Sequence, residues 1–203
     1  MRRVLYARLA VVALLAGCAS GGRSESTRVV MPPIERVPPG VQLSTRVNEY
    51  RVTAATIGAL REEMHRLGPI ADGVRYPGAT HWDVRWTYEY EPRTAGCALR
   101  TVQARVETRV SLPRWEPATT PDSAVTGWWE GFHARLVAHE HGHVRLAVES
   151  AGAIVDALRP LTAGTCAALG ERANAAGQSL LTDARRRQAA YDRDTRHGAL
   201  PGG

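Results

Sequence analysis

Lysine is absent. Every one of the 26 basic residues is arginine, a uniformity that points to coding bias rather than to a phosphate-binding patch. Long hydrophobic runs are missing as well. The most apolar stretch, residues 11–16, is too short to cross a bilayer as a helix, which takes about 20 apolar residues. There is no internal repeat, which sets aside solenoids and other repeat arrays. Cysteine is scarce, with three in 203 residues.

What is present begins with an address. Arg2, Arg3 and Arg8 precede the short apolar run, the pattern of a secretory signal. The run ends in Leu15-Ala16-Gly17-Cys18, which resembles the lipobox of bacterial lipoproteins. That resemblance implies a signal peptide over residues 1–17 and acylation of Cys18, giving a firm lipid anchor in the membrane. Ala19 follows where inner-membrane lipoproteins often carry Asp, so the expected location is the cell envelope, at the periplasmic face of the outer membrane. Three charges leave with the signal, so the formal charge falls from +6 to +3. An exported chain meets no genome, and nucleic acid is not an expected partner. With Cys18 committed to lipid, Cys97 and Cys166 remain as an even pair in an oxidising compartment, and a Cys97–Cys166 disulfide is expected.

Residues 18–45 are rich in Ser, Gly and Pro, including Pro32-Pro33 and Pro38-Pro39-Gly40. They read as a tether. One domain is expected over residues 46–198, with a tail over 199–203. Three stretches alternate with period two, as strands do. The first is short, around Tyr50 and Val52. The second sets Trp82, Val84, Trp86, Tyr88 and Tyr90 against Asp83, Arg85, Thr87 and Glu89. The third sets Val102, Ala104, Val106, Val110 and Leu112 against Gln103, Arg105, Glu107 and Arg109, and Pro113 marks its end. One greasy and one charged face imply a sheet covered on a single side. Residues 54–67 have helical composition and stop at Gly68-Pro69. A long helix is predicted from Pro121-Asp122-Ser123 to Arg159-Pro160, and a second over residues 165–190. The expected fold class is α+β: a small antiparallel sheet packed on a long helical hairpin.

Within the long helix, Phe132, Leu136, His139, His143, Ala147, Ser150 and Ile154 share a stripe. His139-Glu140-His141-Gly142-His143 is an H-E-x-x-H sequence. Residues i and i+4 lie one turn apart on one helix face, so both imidazoles reach a single metal ion. Zinc accepts such nitrogen ligands and keeps a position for water. Glu140 adjoins the first ligand but points aside, where it can act as general base. The layout is zincin-like, with the motif on the long helix. His133 and His141 fall off this face and read as surface residues. Glu149 follows His143 by six residues, about 240° round an unbroken helix, and faces away. An antiparallel hairpin puts Asp183 roughly opposite Glu140, which makes it one option for a third ligand; His197 is the other.

Further residues carry a family resemblance. Tyr50-Arg51-Val52, Gly68-Pro69, Ala79-Thr80-His81-Trp82, Cys97, Leu112-Pro113-Arg114-Trp115, Trp129, Phe132, the histidine motif, Cys166 and Tyr191-Asp192-x-x-Thr195-x-His197-Gly198 form one pattern. It resembles the bacterial domain-of-unknown-function 922 family, predicted secreted zinc-dependent proteases, over roughly residues 46–198. The resemblance implies that His197 belongs to the active site and ranks it above Asp183 as third zinc ligand. It also draws attention to Tyr191, whose hydroxyl could steady an oxyanion, or whose ring could simply cap the hairpin. His81, Asp83 and Arg85 could line a substrate groove or form a solvated strand face. The leading expectation is therefore a zinc metallopeptidase acting on envelope peptides or proteins, with Glu140 as base. A zinc amidase acting on peptidoglycan peptides and a non-catalytic envelope interaction module are the alternatives.

Overall fold

The three alternating stretches become the three long strands of one sheet in the computed structural model, which describes residues 29–198 apart from residue 72. In chain order the elements are β1 (Val41–Val52), α1 (Ile57–Leu67), β2 (Ile70–Ala71), β3 (Val74–Arg75), β4 (Ala79–Arg93), β5 (Gly96–Trp115), α2 (Ser123–Leu158), β6 (Thr162–Ala163) and α3 (Cys166–Thr195). A last turn, Arg196–Gly198, closes the described chain. The fold is α+β, a small sheet with three helices. The signal segment, Cys18 and the 199–203 tail lie outside the described residues.

The sheet is mixed rather than antiparallel. β5 is central, with β4 antiparallel on one side and β1 parallel on the other. β1 and β4 do run in opposite directions, as alternation along the chain suggests. The longer β5 folds back from the β4 hairpin and enters between them. Local periodicity reports which face of a strand is buried and says nothing about which strand is its neighbour, so this insertion was not legible.

The face assignment holds. Val102, Ala104, Val106, Val110 and Leu112 are buried, while Gln103, Arg105, Glu107 and Arg109 are exposed. Thr108 is the one polar residue on the buried face of β5, and its hydroxyl donates to that of Thr45 at 2.8 Å. Strand ends differ from expectation. β1 begins at Val41, so residues 41–45 of the expected tether belong to the sheet. Val29, Met31 and Ile34 also pack against the core, and the Val29 amide donates to Glu49 Oε1 at 2.7 Å. β5 runs past Pro113 to Trp115 because β4's last pair is Ala79–Ser111. Pro113 thus has only β1 beside it, an edge position where a missing N–H is tolerated.

The helical hairpin covers the greasy face. Asp122 caps α2 by accepting from the Ala124 amide, and Thr165 caps α3 by accepting from Ala168. Such caps are each worth about 1 kcal/mol. Leu136, Ile154, Leu158 and Leu169 are fully buried, at about 1.5–3 kcal/mol each. Cys97 on β5 is bonded to Cys166 at the start of α3, and β6 pairs beside it. The α2–α3 turn is thereby pinned to the sheet. Two apolar clusters result: one joins α1 to the first half of α2, the other joins the second half of α2 to α3 and the sheet. His139, Glu140 and His143 sit on α2 where the clusters meet.

Candidate metal centre

Apart from Ser150, the buried polar side chains of α2 gather at this junction. His139, Glu140 and His143 are only 5 %, 1 % and 7 % exposed. Buried polar groups at this depth must find partners, and α3 supplies them. Gln188, Tyr191, Asp192 and Thr195 follow one another at helical spacing and face α2. The Nδ1 of His143 lies 2.5 Å from Gln188 Oε1, while Gln188 Nε2 donates to the His143 carbonyl at 3.0 Å. That second bond fixes the amide's orientation, so His143 must carry its proton on Nδ1. Thr195 works in the same way: its hydroxyl donates to the Tyr191 carbonyl at 2.6 Å and lies 3.0 Å from His139 Nδ1. Both imidazoles are thus oriented with a bare Nε2 turned inward, an arrangement typical of metal-ligating histidines.

The two Nε2 atoms are 3.2 Å apart. Asp192 Oδ1 lies 2.8 Å from His143 Nε2 and 3.2 Å from His139 Nε2. With both imidazoles neutral, three acceptors converge, and a cation placed among them would satisfy all three. Tetrahedral ligands at about 2.1 Å from zinc stand roughly 3.4 Å from one another. The donor types and spacings therefore fit zinc.

Burial sets the local acidity. His139 is pushed down to about 4, chiefly by desolvation and then by the neighbouring His143, against the attraction of Asp192. It is neutral at ordinary pH, as a ligand must be. Glu140 is pushed up to about 7, again chiefly by burial, although the Thr80 hydroxyl bond favours its charged form. Thr80 Oγ1 donates to Glu140 Oε2 at 2.7 Å. Gly78, two residues before Thr80, leaves space for that carboxylate: a Cβ there would stand 2.8 Å from Glu140 Oε1 and 2.9 Å from Leu136 Cδ1. A cleft of about 410 Å³ opens over this group, walled by Tyr76, Gly78, Thr80 and Trp82 on one side and by α3 on the other.

His197 reaches the site from the far end of the chain. Arg196, His197 and Gly198 all adopt the left-handed conformation, with φ of 50°, 52° and 68°. For non-glycine residues this costs roughly 1–2 kcal/mol each. The turn carries His197 Nδ1 to 3.3 Å from Asp192 Oδ1 and lays its ring on Tyr76, centroids 4.6 Å apart.

The structure brings together His139, Glu140, His143 and His197 of the residues singled out by sequence. Others stand elsewhere. Asp183 pairs with Arg186 on an exposed flank of α3 and does not line the cleft. Tyr191 stacks on His139, centroids 5.1 Å apart at 8°, and meets His143 edge-on. Its hydroxyl lies over Gly142 and borders a separate cavity of about 530 Å³. The ring packs both imidazoles, and the placement lends no support to an oxyanion role. His81, Asp83 and Arg85 lie on the open sheet face, where Asp83 and Arg85 pair at 2.9 Å. That face is opposite the one α2 covers, so they stand apart from this cleft and line a separate pocket of about 310 Å³. Glu149 is paired with Arg145 near the helix surface. His133 and His141 are half-buried, contrary to expectation. His133 lies on Trp129, centroids 5.4 Å apart, and His141 Nε2 is buried with no hydrogen-bond partner among the described residues.

Asp192, Gln188 and Thr195 were not assigned roles from the sequence. A signal existed. The facing stripe of α3 through Leu169, Ala173 and Ala184 continues in helical steps to Gln188, then Tyr191 and Asp192, then Thr195. Ending the predicted helix at residue 190 cut the stripe short; it runs to Thr195.

Fold and site together define an α+β domain in which a helical hairpin holds a buried histidine–carboxylate cluster beside a sheet edge. The family profile described as bacterial protein of unknown function (DUF922) matches residues 47–198, and the chain belongs to that family. No curated protein and no solved structure matches significantly.

Proposed function

We propose that the protein is a zinc-dependent peptidase of the cell envelope, anchored through lipid on Cys18. The observation that carries this is a buried carboxylate, Glu140, held at the cleft by Thr80 beside two imidazoles whose bare Nε2 atoms face a third acceptor. A purely structural metal site has no use for such a base. His139 and His143 would hold zinc, with further donors drawn from Asp192 and His197. Zinc supplies there a water acidic enough to lose its proton near pH 7 and a positive charge that polarises a carbonyl.

The chain's own residues do the rest. Glu140 accepts a proton on a carboxylate oxygen and returns it to the leaving amine. Thr80 keeps that carboxylate aimed into the cleft. Gln188 and Thr195 fix the tautomers of His143 and His139. Among the described residues β4 is the terminal strand of its sheet, and Ala79 and Thr80 at its start line the cleft. An extended peptide added to the free edge of β4 would pass Glu140, which favours a peptide substrate. An amidase acting on peptidoglycan peptides would use the same groups on the same type of bond.

Glu140→Gln is the test. The variant is expected to retain one zinc per chain and to lose hydrolysis of a quenched-fluorescence peptide library by at least about 100-fold. Wild-type protein that stays folded with no zinc after dialysis in metal-free buffer would refute the peptidase reading and leave a binding module.

A further inference from the structure

The cluster offers four protein donors where hydrolysis needs three and a free position. We propose that Asp192 is the third permanent zinc ligand and that His197 is a displaceable cover over the remaining position. The proposal rests on the zinc reading above.

Distance separates the two residues. Asp192 Oδ1 approaches both motif imidazoles, at 2.8 and 3.2 Å, whereas the contact His197 Nδ1 makes within the cluster is 3.3 Å to Asp192 itself. Its ring centroid is 6.4 Å from that of His139. It is near enough to be a ligand, since donor atoms of His139, Asp192 and His197 all lie within 4.8 Å of one another.

Mounting separates them too. Asp192 stands on α3, between Gln188 and Thr195, which already hold the two imidazoles. His197 stands beyond the helix on a turn whose three residues are all left-handed. Its side chain is 45 % exposed against 27 % for Asp192. It rests on Tyr76, a wall of the cleft, so a substrate entering there meets this ring first.

Charge points the same way. The motif supplies two neutral imidazoles, and a third imidazole would leave a buried divalent ion with no compensating ligand charge. One carboxylate halves that charge, which lowers the cost of burial. Glu140 is not free for this task, being tied to Thr80. The chain thus carries a closed resting state and an open working state, which differ by the swing of one terminal imidazole.

Competition with a chromophoric chelator measures zinc affinity, and cobalt substituted for zinc reports coordination by its visible absorption. Asp192→Asn should weaken zinc binding by more than about 100-fold, beyond the loss of a supporting hydrogen bond. Asp192→Glu, which keeps a carboxylate, should recover part of it. His197→Ala should keep one zinc per chain with a loss below about tenfold. Its cobalt spectrum should change and return toward that of wild type when imidazole is added. Zinc lost from the His197 variant but retained by the Asp192 variants would reverse the assignment. Identical cobalt spectra for wild type and His197→Ala would remove the cover. A folded wild type that takes up neither metal would overturn the zinc reading itself, an outcome distinct from both.

Discussion

Glu140→Gln tests the site without any knowledge of substrate, through stability of the metal-free protein. Burial raises the Glu140 pKa from 4.5 to about 7 in the folded chain. A carboxyl whose folded pKa lies above its unfolded value holds its proton more tightly when folded. The unfolded chain therefore ionises first as pH rises, and stability falls between pH 4.5 and about 7. The size follows from the shift: about 2.5 units at 1.36 kcal/mol each is about 3 kcal/mol, lost in full by pH 8. Gln is a neutral isostere whose oxygen can still accept from Thr80, so it escapes this penalty. The metal-free variant should be more stable than wild type by about 3 kcal/mol at pH 8, a shift of roughly 6–12 °C in Tm. The gap should close toward pH 4. Urea unfolding of chelator-treated protein at a series of pH values measures it. A gap that does not vary with pH, or a wild type more stable at pH 8, would refute the argument that Glu140 is ionised at a cost.

Three further outcomes follow from named contacts. Thr80→Val removes a hydroxyl that favours the charged form of Glu140. The acidic limb of the pH–activity profile should move to higher pH, and an unmoved limb would mean that another group controls it. Gln188→Met breaks the bond that fixes the His143 tautomer. Zinc affinity should fall 10- to 100-fold with the fold retained by circular dichroism, and unchanged affinity would exclude that role. Replacing both Cys97 and Cys166 by Ser opens a loop with a sequence separation of 69. Stability should drop by about 4 kcal/mol on the chain-entropy model, read from the denaturation midpoint; an unchanged midpoint would show that β6 and the hairpin packing suffice.

Periodicity made much of the fold legible. The alternation of Trp82 to Tyr90 and Val102 to Leu112 placed two strands and their buried faces, because a half-covered sheet repeats every two residues. Helix ends were legible where capping chemistry is local: Asp122 and Thr165 stand at the N-termini of α2 and α3. The pairing of Cys97 with Cys166 was legible by elimination. At the site, His139, Glu140 and His143 were legible because their geometry depends on one helix alone.

The rest depended on chain segments far apart in sequence. The place of β5 between β1 and β4, the hydroxyl of Thr80 on Glu140 across 60 positions, and the clamp of Gln188 on His143 across 45 exist only when the layers close. Asp192 shows the difference most plainly. In the sequence it is one carboxylate among 20 acidic residues, part of the closing segment that carries the family resemblance, but with no spacing that ties it to the histidine motif. Its position within 3.3 Å of three histidine nitrogens is made by the antiparallel packing of α3 on α2 and by a left-handed turn beyond the helix end. A motif whose spacing matches one element's repeat is written in the sequence. A site assembled by packing different elements together is decided by the tertiary structure, because no single period links its parts.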